Sequence, residues 1–321
     1  MLHIKSLNEA LELFKALGSD IRIEIIKILL NNSGMSMNEL ATRLNVTNGA
    51  LTSHIKKLED CGIVSISSES SGHGNQKICS VHLDKILIDF DNQEIDSNLF
   101  QTELKVGHYS DYNVYPTCGL ASSTALIGIE DDTRYFSHPD RYNADILWFT
   151  KGYVEYFIPN FIPHSNVIDQ ITLSMELCSE APGVNNVWPS DIHFYLNNTL
   201  VGVWTSPGDF GDMKGIFTPD WWYPNWNQYG LLKLIVINKS GTFIDGLQVS
   251  KVTVHDLKLN YNSLLKFKIE VPETAKHVGG VTIFGKTFGN YSQDIQVKLH
   301  YSPIEVTTTP NKASTNKVST K

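Results

Sequence analysis

Five of the six tryptophans in the chain fall in one stretch, WPSDIHFYLNNTLVGVWTSPGDFGDMKGIFTPDWWYPNWNQYG, residues 188–230. Trp188, Trp204, Trp221, Trp222 and Trp226 are interleaved there with Asp191, His193, Asp209, Asp212, Asn225, Asn227 and Gln228. Indole faces cover the apolar C–H faces of a sugar ring, and fixed carboxylates and amides bind its hydroxyls. A site built this way is largely preformed, apolar-walled and sparing in polar groups. The chemistry expected is recognition of a small, carbohydrate-like molecule by Trp188, Asp191, Trp204, Asp209, Trp221, Trp222, Trp226 and Gln228. Trp221, Trp222 and Trp226, beside Pro219 and Pro224, cannot alternate neatly on one strand, so the segment reads as a loop or a strand edge. Such a loop covers a sheet, lines a cleft or enters a subunit interface. Pocket wall and interface both stay open, ahead of plain core.

A second cluster, GIEDDTRYFSHPDRYNADILWF, holds Asp131, Asp132, Arg134, His138, Asp140 and Arg141. A charged loop of this kind is ordinarily solvated, but Tyr135, Phe136 and Tyr142 also suit it to closing over a pocket. Catalysis is not expected. Glycoside hydrolysis needs two carboxyls at a fixed separation, and Asp209, Asp212 and Asp220 qualify by type alone. There is no G-x-S-x-G, no HExxH and no clustering of histidines. Cys61, Cys79, Cys118 and Cys178 are widely spaced without a CxxC, which reads as four reduced thiols, with no metal and no cofactor expected.

The other informative stretch is TNGALTSHIKKLEDCGIV, residues 47–64. With Leu51, Ile55 and Leu58 turned inward, Gly49, Thr52, Ser53 and Lys56 recur at helical spacing on the opposite face. A major groove admits such a helix, and its N-terminal residues reach base edges. The helix N-terminus itself favours phosphate.

These residues need elements to carry them. Leu7, Ala10, Leu11, Phe14 and Leu17 follow one helical face, which Gly18 stops. Ser19 or Asp20 can cap a second helix with Ile25, Ile26, Leu29 and Leu30 on one stripe. Ser36 caps a third, with Met37, Leu40, Ala41 and Leu44 inward, and Thr47 caps the fourth. The period then falls to two at residues 63–67 and 78–83, a hairpin whose tip carries His73, Asn75, Gln76 and Lys77. Four helices and a hairpin are the order of a winged helix-turn-helix.

From about residue 100 onward the chain is strand after strand, which argues an antiparallel β-sandwich or jelly roll. Ile171, Leu173, Met175 and Leu177 alternate with polar residues, as do Leu265, Phe267, Ile269 and Val271. The organisation expected is therefore α+β: a DNA-binding domain over residues 1–90, a linker over 91–103, a β-domain over 104–305 and a disordered tail over 306–321, rich in Thr, Ser and Lys.

LFKALGSDIRIEIIKILL followed by MNELATRLNVTNGALTSHIKKLEDCGIV resembles the ArsR-type winged helix-turn-helix of bacterial transcriptional repressors, over about residues 7–83. The resemblance implies a homodimer reading a two-fold symmetric operator in double-stranded DNA. It places the contacts at Asn48, Gly49, Thr52, Ser53 and His54, with Lys56 flanking. Thr47, Lys57 and the wing residues His73 and Lys77 complete the expected DNA-binding set. The family often has arginine where Ser53 stands, and its metal sensors carry a cysteine motif on the third helix that is absent here. The first 90 residues hold 9 Lys+Arg against 10 Asp+Glu, so modest affinity per monomer is expected. PGDFGD, WWYPNWNQYGLL and GGVTIFGKTFGNYSQDI resemble ArsR-type regulators with an added jelly-roll-like C-terminal domain, a set linked to carbohydrate utilisation.

A net charge of −8 argues against wrapping nucleic acid over the whole surface and leaves room for one docking element. No run of about 18 apolar residues spans a membrane, and no signal peptide precedes Glu9 and Glu12. The expectation is a cytoplasmic regulator, a repressor, controlled by a small-molecule effector in the β-domain. The alternative is a β-domain that serves dimerisation or partner binding without a ligand.

Overall fold

Ser36 and Thr47 each start a helix by accepting a backbone N–H in the first turn. The Ser36 hydroxyl accepts from Glu39 N, and the Glu39 carboxylate returns to Ser36 N at 2.9 Å, a reciprocal capping box. Thr47 Oγ1 accepts from Ala50 N at 3.3 Å. Asn45, in the left-handed region at φ 54°, closes the first of these helices so that the second can cross it.

The computed structural model describes residues 2–4, 6, 7, 9–32, 34–71, 74–81, 83, 86–88, 98–259 and 264–304. They fall into two compact units, residues 1–97 and 98–321. The expected tail over 306–321 lies outside the described residues.

The first unit runs β1 (Leu2–Ile4), α1 (Leu11–Leu17), α2 (Asp20–Leu30), β2 (Met35–Ser36), α3 (Met37–Leu44), α4 (Asn48–Asp60), β3 (Ser65–Ser71), β4 (Gly74–Ser80) and β5 (Ile86–Ile88). β4 lies between β2 and β3, antiparallel to both, and β1 pairs in parallel with β5. Leu13, Ala16, Ile25, Ile28, Leu29, Leu40, Ala41, Leu51, Ile55, Leu58, Ile63, Val64 and Cys79 form its core. Two helical faces differ from the sequence expectation. In α1 the buried residues are Leu13 and Ala16, following Ala10, while Leu11 and Phe14 are 51% and 45% exposed. In α2 the inward stripe is Arg22, Ile25, Ile28 and Leu29, and Leu30 faces out. Both helices carry apolar residues on more than one face, so periodicity alone does not choose between them.

The second unit contains β6 (Leu99–Leu104), β7 (Asp111–Ala121), β8 (Ile146–Ile158), β9 (Asn166–Cys178), β10 (Ser190–Leu196), β11 (Thr199–Ser206), β12 (Leu231–Asn238), β13 (Gly241–Ile244), β14 (Leu247–Ser250), β15 (Leu265–Val271), β16 (Val281–Phe284) and β17 (Ile295–Pro303). β8 carries β7 on one edge and β15 then β16 on the other. β9 likewise carries β12 on one edge and β17 then β16 on the other. β16 thus joins the two halves, and the antiparallel sheet becomes nearly barrel-like. β10 and β15 bury every second residue, as alternation requires. β6 pairs with β17 from Leu104↔Ile295 to Leu99↔His300, so residues 99–103, expected as linker, are part of the sheet. Gln101 and Glu103 within that strand, with Lys105 just beyond it, weaken its apolar signal.

A separate aromatic cluster closes one end of this sheet. Ala121 ends β7, Ile146 and Trp148 begin β8, Cys178 ends β9 and Phe284 ends β16; with Phe288 and Trp222 they pack together. Trp148 lies opposite Gly119, whose missing Cβ leaves room for the indole: a Cβ there would sit 2.2 Å from Cζ2.

Candidate functional site

In α4 the inward residues Leu51, Ile55 and Leu58 are at most 1% exposed, which fixes the helix against the core and turns its other face out. Asn48, Gly49, Thr52, Ser53, Lys56 and Lys57 are exposed on that face. The Thr52 hydroxyl donates to Asn48 O at 2.8 Å, and Asn48 Nδ2 donates to Asn38 Oδ1 at 3.0 Å, tying the start of α4 to α3. A Cβ on Gly49 would meet nothing within 4 Å, so the glycine is not required by packing. His54 is half-buried, with Nδ1 3.5 Å from the buried Arg22 guanidinium. Burial first, then the charges of Arg22 and Lys57, hold its pKa below the usual 6.5. His54 is therefore placed between helix core and solvent rather than on the open stripe. In the wing, Lys77 is exposed on β4, and His73 lies outside the described residues.

The thiols are poorly suited to redox work. Cys79 lies against Met37 Sδ at 3.4 Å, and burial pushes its pKa up to about 11. Cys118 is pushed up to about 12 for the same reason. Among the described residues no group of three His, Cys, Asp or Glu is placed to hold a metal ion. No described helix is long and apolar enough to cross a membrane.

The β-unit carries a cavity of about 120 Å³ at the aromatic end, lined by Thr117, Glu130, Asp131, Trp148, Glu180, Trp226 and Asn227, with the turn at residues 181–183. Trp148 and Trp226 stand with ring centroids 5.9 Å apart at 63°. Glu180 is the polar centre. Its Oε2 accepts from Asn227 Nδ2 at 3.0 Å and from the Thr282 hydroxyl at 2.9 Å, and its Oε1 from the Thr117 hydroxyl at 3.3 Å. Burial, reinforced by Asp209 nearby, drives the Glu180 carboxyl well above the usual carboxylate range. Partial burial and then the neighbouring Asp131 raise Glu130 as well. Asp131 Oδ1 accepts from Cys118 N at 2.9 Å.

Of the eight residues expected to meet an effector, Trp226 lines this cavity. Trp222, 4% exposed, stands behind it with ring centroids 4.8 Å apart and donates Nε1–H to Asn227 O at 2.8 Å. Trp188 Nε1 donates to Glu180 O at 3.1 Å. The remaining five fall elsewhere. Trp221 Nε1 donates to Ser123 O, and Gln228 Nε2 donates to the Tyr223 and Trp226 carbonyls, fastening the loop. Asp209 is fully buried, accepts from Ala181 N, and is pushed up to about 7 by burial. Asp191 accepts from Thr205 Oγ1 and His277 N, and Trp204 lies beneath Lys233 Nζ at 4.6 Å. Trp148, Glu180 and Thr117 come from three different strands or strand ends and escaped sequence reasoning. Asp131 was legible in the charged loop. In the rest of that loop, Arg134 pairs with Asp132, and Arg141 donates to the Gly107 and Tyr109 carbonyls. Asp212 accepts from the Tyr229 hydroxyl and Asp220 pairs with Lys214.

A winged helix-turn-helix DNA-binding family model matches residues 19–65. The N-terminal unit therefore carries a winged helix-turn-helix DNA-binding domain. An uncharacterized protein of Methanocaldococcus jannaschii, MJ0432, is 40% identical over 50 residues; the match spans 16% of this chain and 54% of that protein. Reduced HlyU from Vibrio cholerae is 27% identical over 24% of this chain and 76% of its own, at a TM-score of 0.21. A carbohydrate-binding module, CBM36, solved with calcium and xylotriose, is 8% identical over 63% of this chain and 99% of its own, at a TM-score of 0.27. Likenesses at such TM-scores fix neither fold nor function.

Proposed function

We propose that the protein is a DNA-binding transcriptional regulator of ArsR type, a homodimeric repressor working in the cytoplasm, whose operator binding responds to a small molecule held in the β-unit. The observation that carries the DNA-binding part is the exposed stripe of Asn48, Gly49, Thr52, Ser53 and Lys56 on a helix anchored by Leu51, Ile55 and Leu58. It lies within the matched residues 19–65. Dimerisation is supported by the exposed apolar residues Leu7, Leu11 and Phe14 at 44%, 51% and 45%, an unusual concentration for a surface left to water.

The effector site of this reading is the cavity between Trp148 and Trp226, where Glu180, Asn227 and Thr117 supply polar groups against aromatic walls. That mixture suits a small polar ligand, and we read the cavity as a binding site rather than a catalytic one. An effector acts on DNA binding only through unequal affinity for two arrangements of the dimer. The test is a gel shift on the protein's own promoter with the full chain. Thr52→Ala/Lys56→Ala should abolish the specific shift at unchanged dimer size, and retention of the shift refutes the helix assignment.

A second reading has one observation in its favour. The loop beside the aromatic cluster exposes Ile216, Phe217 and Tyr223 at 76%, 41% and 49%. This suits a protein-binding module with no ligand. Loss of assembly in a Tyr223→Ser/Ile216→Ser variant, with no small-molecule response in the parent protein, would favour it.

A further inference from the structure

The side chains of the exposed stripe on α4 differ in what they can tell about a base. Thr52 has given its hydroxyl hydrogen to Asn48 O, which leaves it lone pairs alone. Ser53 brings one hydroxyl, which pairs with a donor or an acceptor alike, and Lys56 brings a flexible point charge. Gly49 brings no side chain. Asn48 is the one residue of the stripe that holds a donor and an acceptor in one rigid plane.

Its carboxamide is also held from one side. Asn48 is the first residue of α4 and Asn38 the second of α3, and Asn48 Nδ2 donates to Asn38 Oδ1 at 3.0 Å. Asparagine at a helix start ordinarily spends its side chain on capping. Here Thr47 caps α4 through Ala50 N, so the Asn48 amide is not used for that. One Nδ2 hydrogen stays free, as does Oδ1, which accepts from none of the described residues. Asn38 stands on a firm base. The Ser36–Glu39 capping box pins the start of α3, and the Thr42 hydroxyl donates to Asn38 O at 2.9 Å.

In the major groove adenine alone shows an acceptor, N7, beside a donor, N6–H. The free N–H and Oδ1 of Asn48 match that pair with two hydrogen bonds. Guanine offers two acceptors there and would set one of them against Asn48 Oδ1. A phosphate offers acceptors only. We infer that Asn48 reads an adenine in the operator and that Asn38 positions its carboxamide to do so. This rests on the reading of α4 as the DNA-facing helix and goes beyond it by naming the base. An asparagine already held by a neighbour loses less rotamer freedom when it meets its base.

Site selection from a random duplex pool with the full chain tests this, followed by affinities on the selected site with single base pairs exchanged. The parent should select adenine at one fixed position, and exchanging it should weaken binding about tenfold. Asn48→Ala should bring that ratio close to one at unchanged melting temperature, while preferences at other positions persist. Asn38→Leu should lower the ratio about threefold with Asn48 intact. Asn38→Asp keeps an oxygen for Nδ2 and should retain the ratio, although its charge weakens binding to every sequence alike. A ratio unmoved by Asn38→Leu would overturn the positioning role. If Asn48→Ala leaves every preference intact, removes a preference for another base, or weakens binding uniformly, the adenine assignment is overturned and DNA binding by α4 stands. Failure of the parent to select any site would overturn both.

Discussion

The Arg22 guanidinium lies 3.5 Å from His54 Nδ1 and donates Nη2–H to Lys15 O at 2.7 Å, so one buried side chain ties the end of α1 to the flank of α4. Its Nε also donates to Ala16 O. Arg22→Ala leaves these carbonyls without their donor and removes a buried stem, a loss of about 2–4 kcal/mol. Urea unfolding followed by helix signal measures it. His54, held neutral, resists a proton that it accepts freely when unfolded. Stability of this unit therefore falls as pH drops below 6.5, and His54→Gln should flatten that slope. Because His54 faces Arg22, the same change should leave operator affinity within about threefold, and a larger loss would return His54 to the base-reading set.

Lys56 and Gly49 share the exposed stripe but should behave in opposite ways. Lys56→Ala should weaken binding alike on specific and unrelated DNA and lower the slope of log K on log salt by about one, the signature of a phosphate contact. Gly49→Ala adds a methyl group that meets nothing within 4 Å and should stabilise α4 by up to about 1 kcal/mol. If the helix enters the major groove, that methyl stands at the DNA surface. Stability then rises while operator affinity falls, and a rise in both would remove Gly49 from the interface.

The helical unit was legible because its signals are local. Ser36 with Glu39, Thr47 with Ala50, and the triplet Leu51, Ile55 and Leu58 are read within one turn or one face. The inward faces of α1 and α2 were not, since Leu11 and Phe14 are as apolar as Leu13 and Ala16, and tertiary contact alone decides between them. The cavity illustrates the same limit more strongly. Trp226 announced itself by composition, whereas Trp148, Glu180 and Thr117 are brought to it by strand pairing across intervals of 30 to over 100 residues. A glutamate after Ser179 carries no local mark of its burial. The dense tryptophan run misled in another way, because Trp222 is core and holds Trp226 in place.

Those two tryptophans give a clean contrast. Trp222 touches Trp148, Trp221, Trp226 and Phe288 and is 4% exposed, so Trp222→Ala should cost about 3–5 kcal/mol in the β-unit. Trp226 is half-buried at the cavity wall. Trp226→Ala should lower the melting temperature by much less, yet abolish the response to any ligand of the cavity. Thermal melts and ligand titration on both variants separate the roles, and equal stability losses would make Trp226 core as well.

Lys233 and Asp245 form an ion pair at 2.8 Å with both side chains 2% exposed. Lys233 Nζ also sits over Trp204, and Asp245 Oδ1 accepts from Leu234 N at 3.0 Å. Asp245→Asn keeps an oxygen for Leu234 N–H and tolerates the φ of 51° but leaves the buried Lys233 ammonium without its counter-charge, and should cost about 3–5 kcal/mol, whereas Lys233→Met/Asp245→Asn should recover much of that loss. Chemical denaturation of the three proteins checks it. The result also bears on Trp204, which this arrangement uses to cover a charge.

Asp294 gives the β-unit a pH dependence of definite sign. It is 1% exposed, and burial, then the nearby Glu103 and Asp145, push its pKa from 3.8 up to about 6, with Lys286 Nζ only at 4.0 Å to oppose them. The folded protein therefore holds a proton there that the unfolded chain has already released. Stability contributed by that proton is full below pH 3.8 and is lost as pH rises to about 6, a change of about 3 kcal/mol at most. Asn keeps the shape and never ionises. Asp294→Asn should match the parent protein at the acid end of this window and exceed it above pH 6. Glu176 and Asp209, pushed up to about 8 and about 7, titrate in the same sense in both proteins, so the difference between the two curves isolates Asp294. Thermal unfolding of both at matched pH values reads that difference. A gap that does not widen between pH 4 and 6 would mean that Asp294 is ionised in the fold, with Lys286 closer in solution than 4.0 Å.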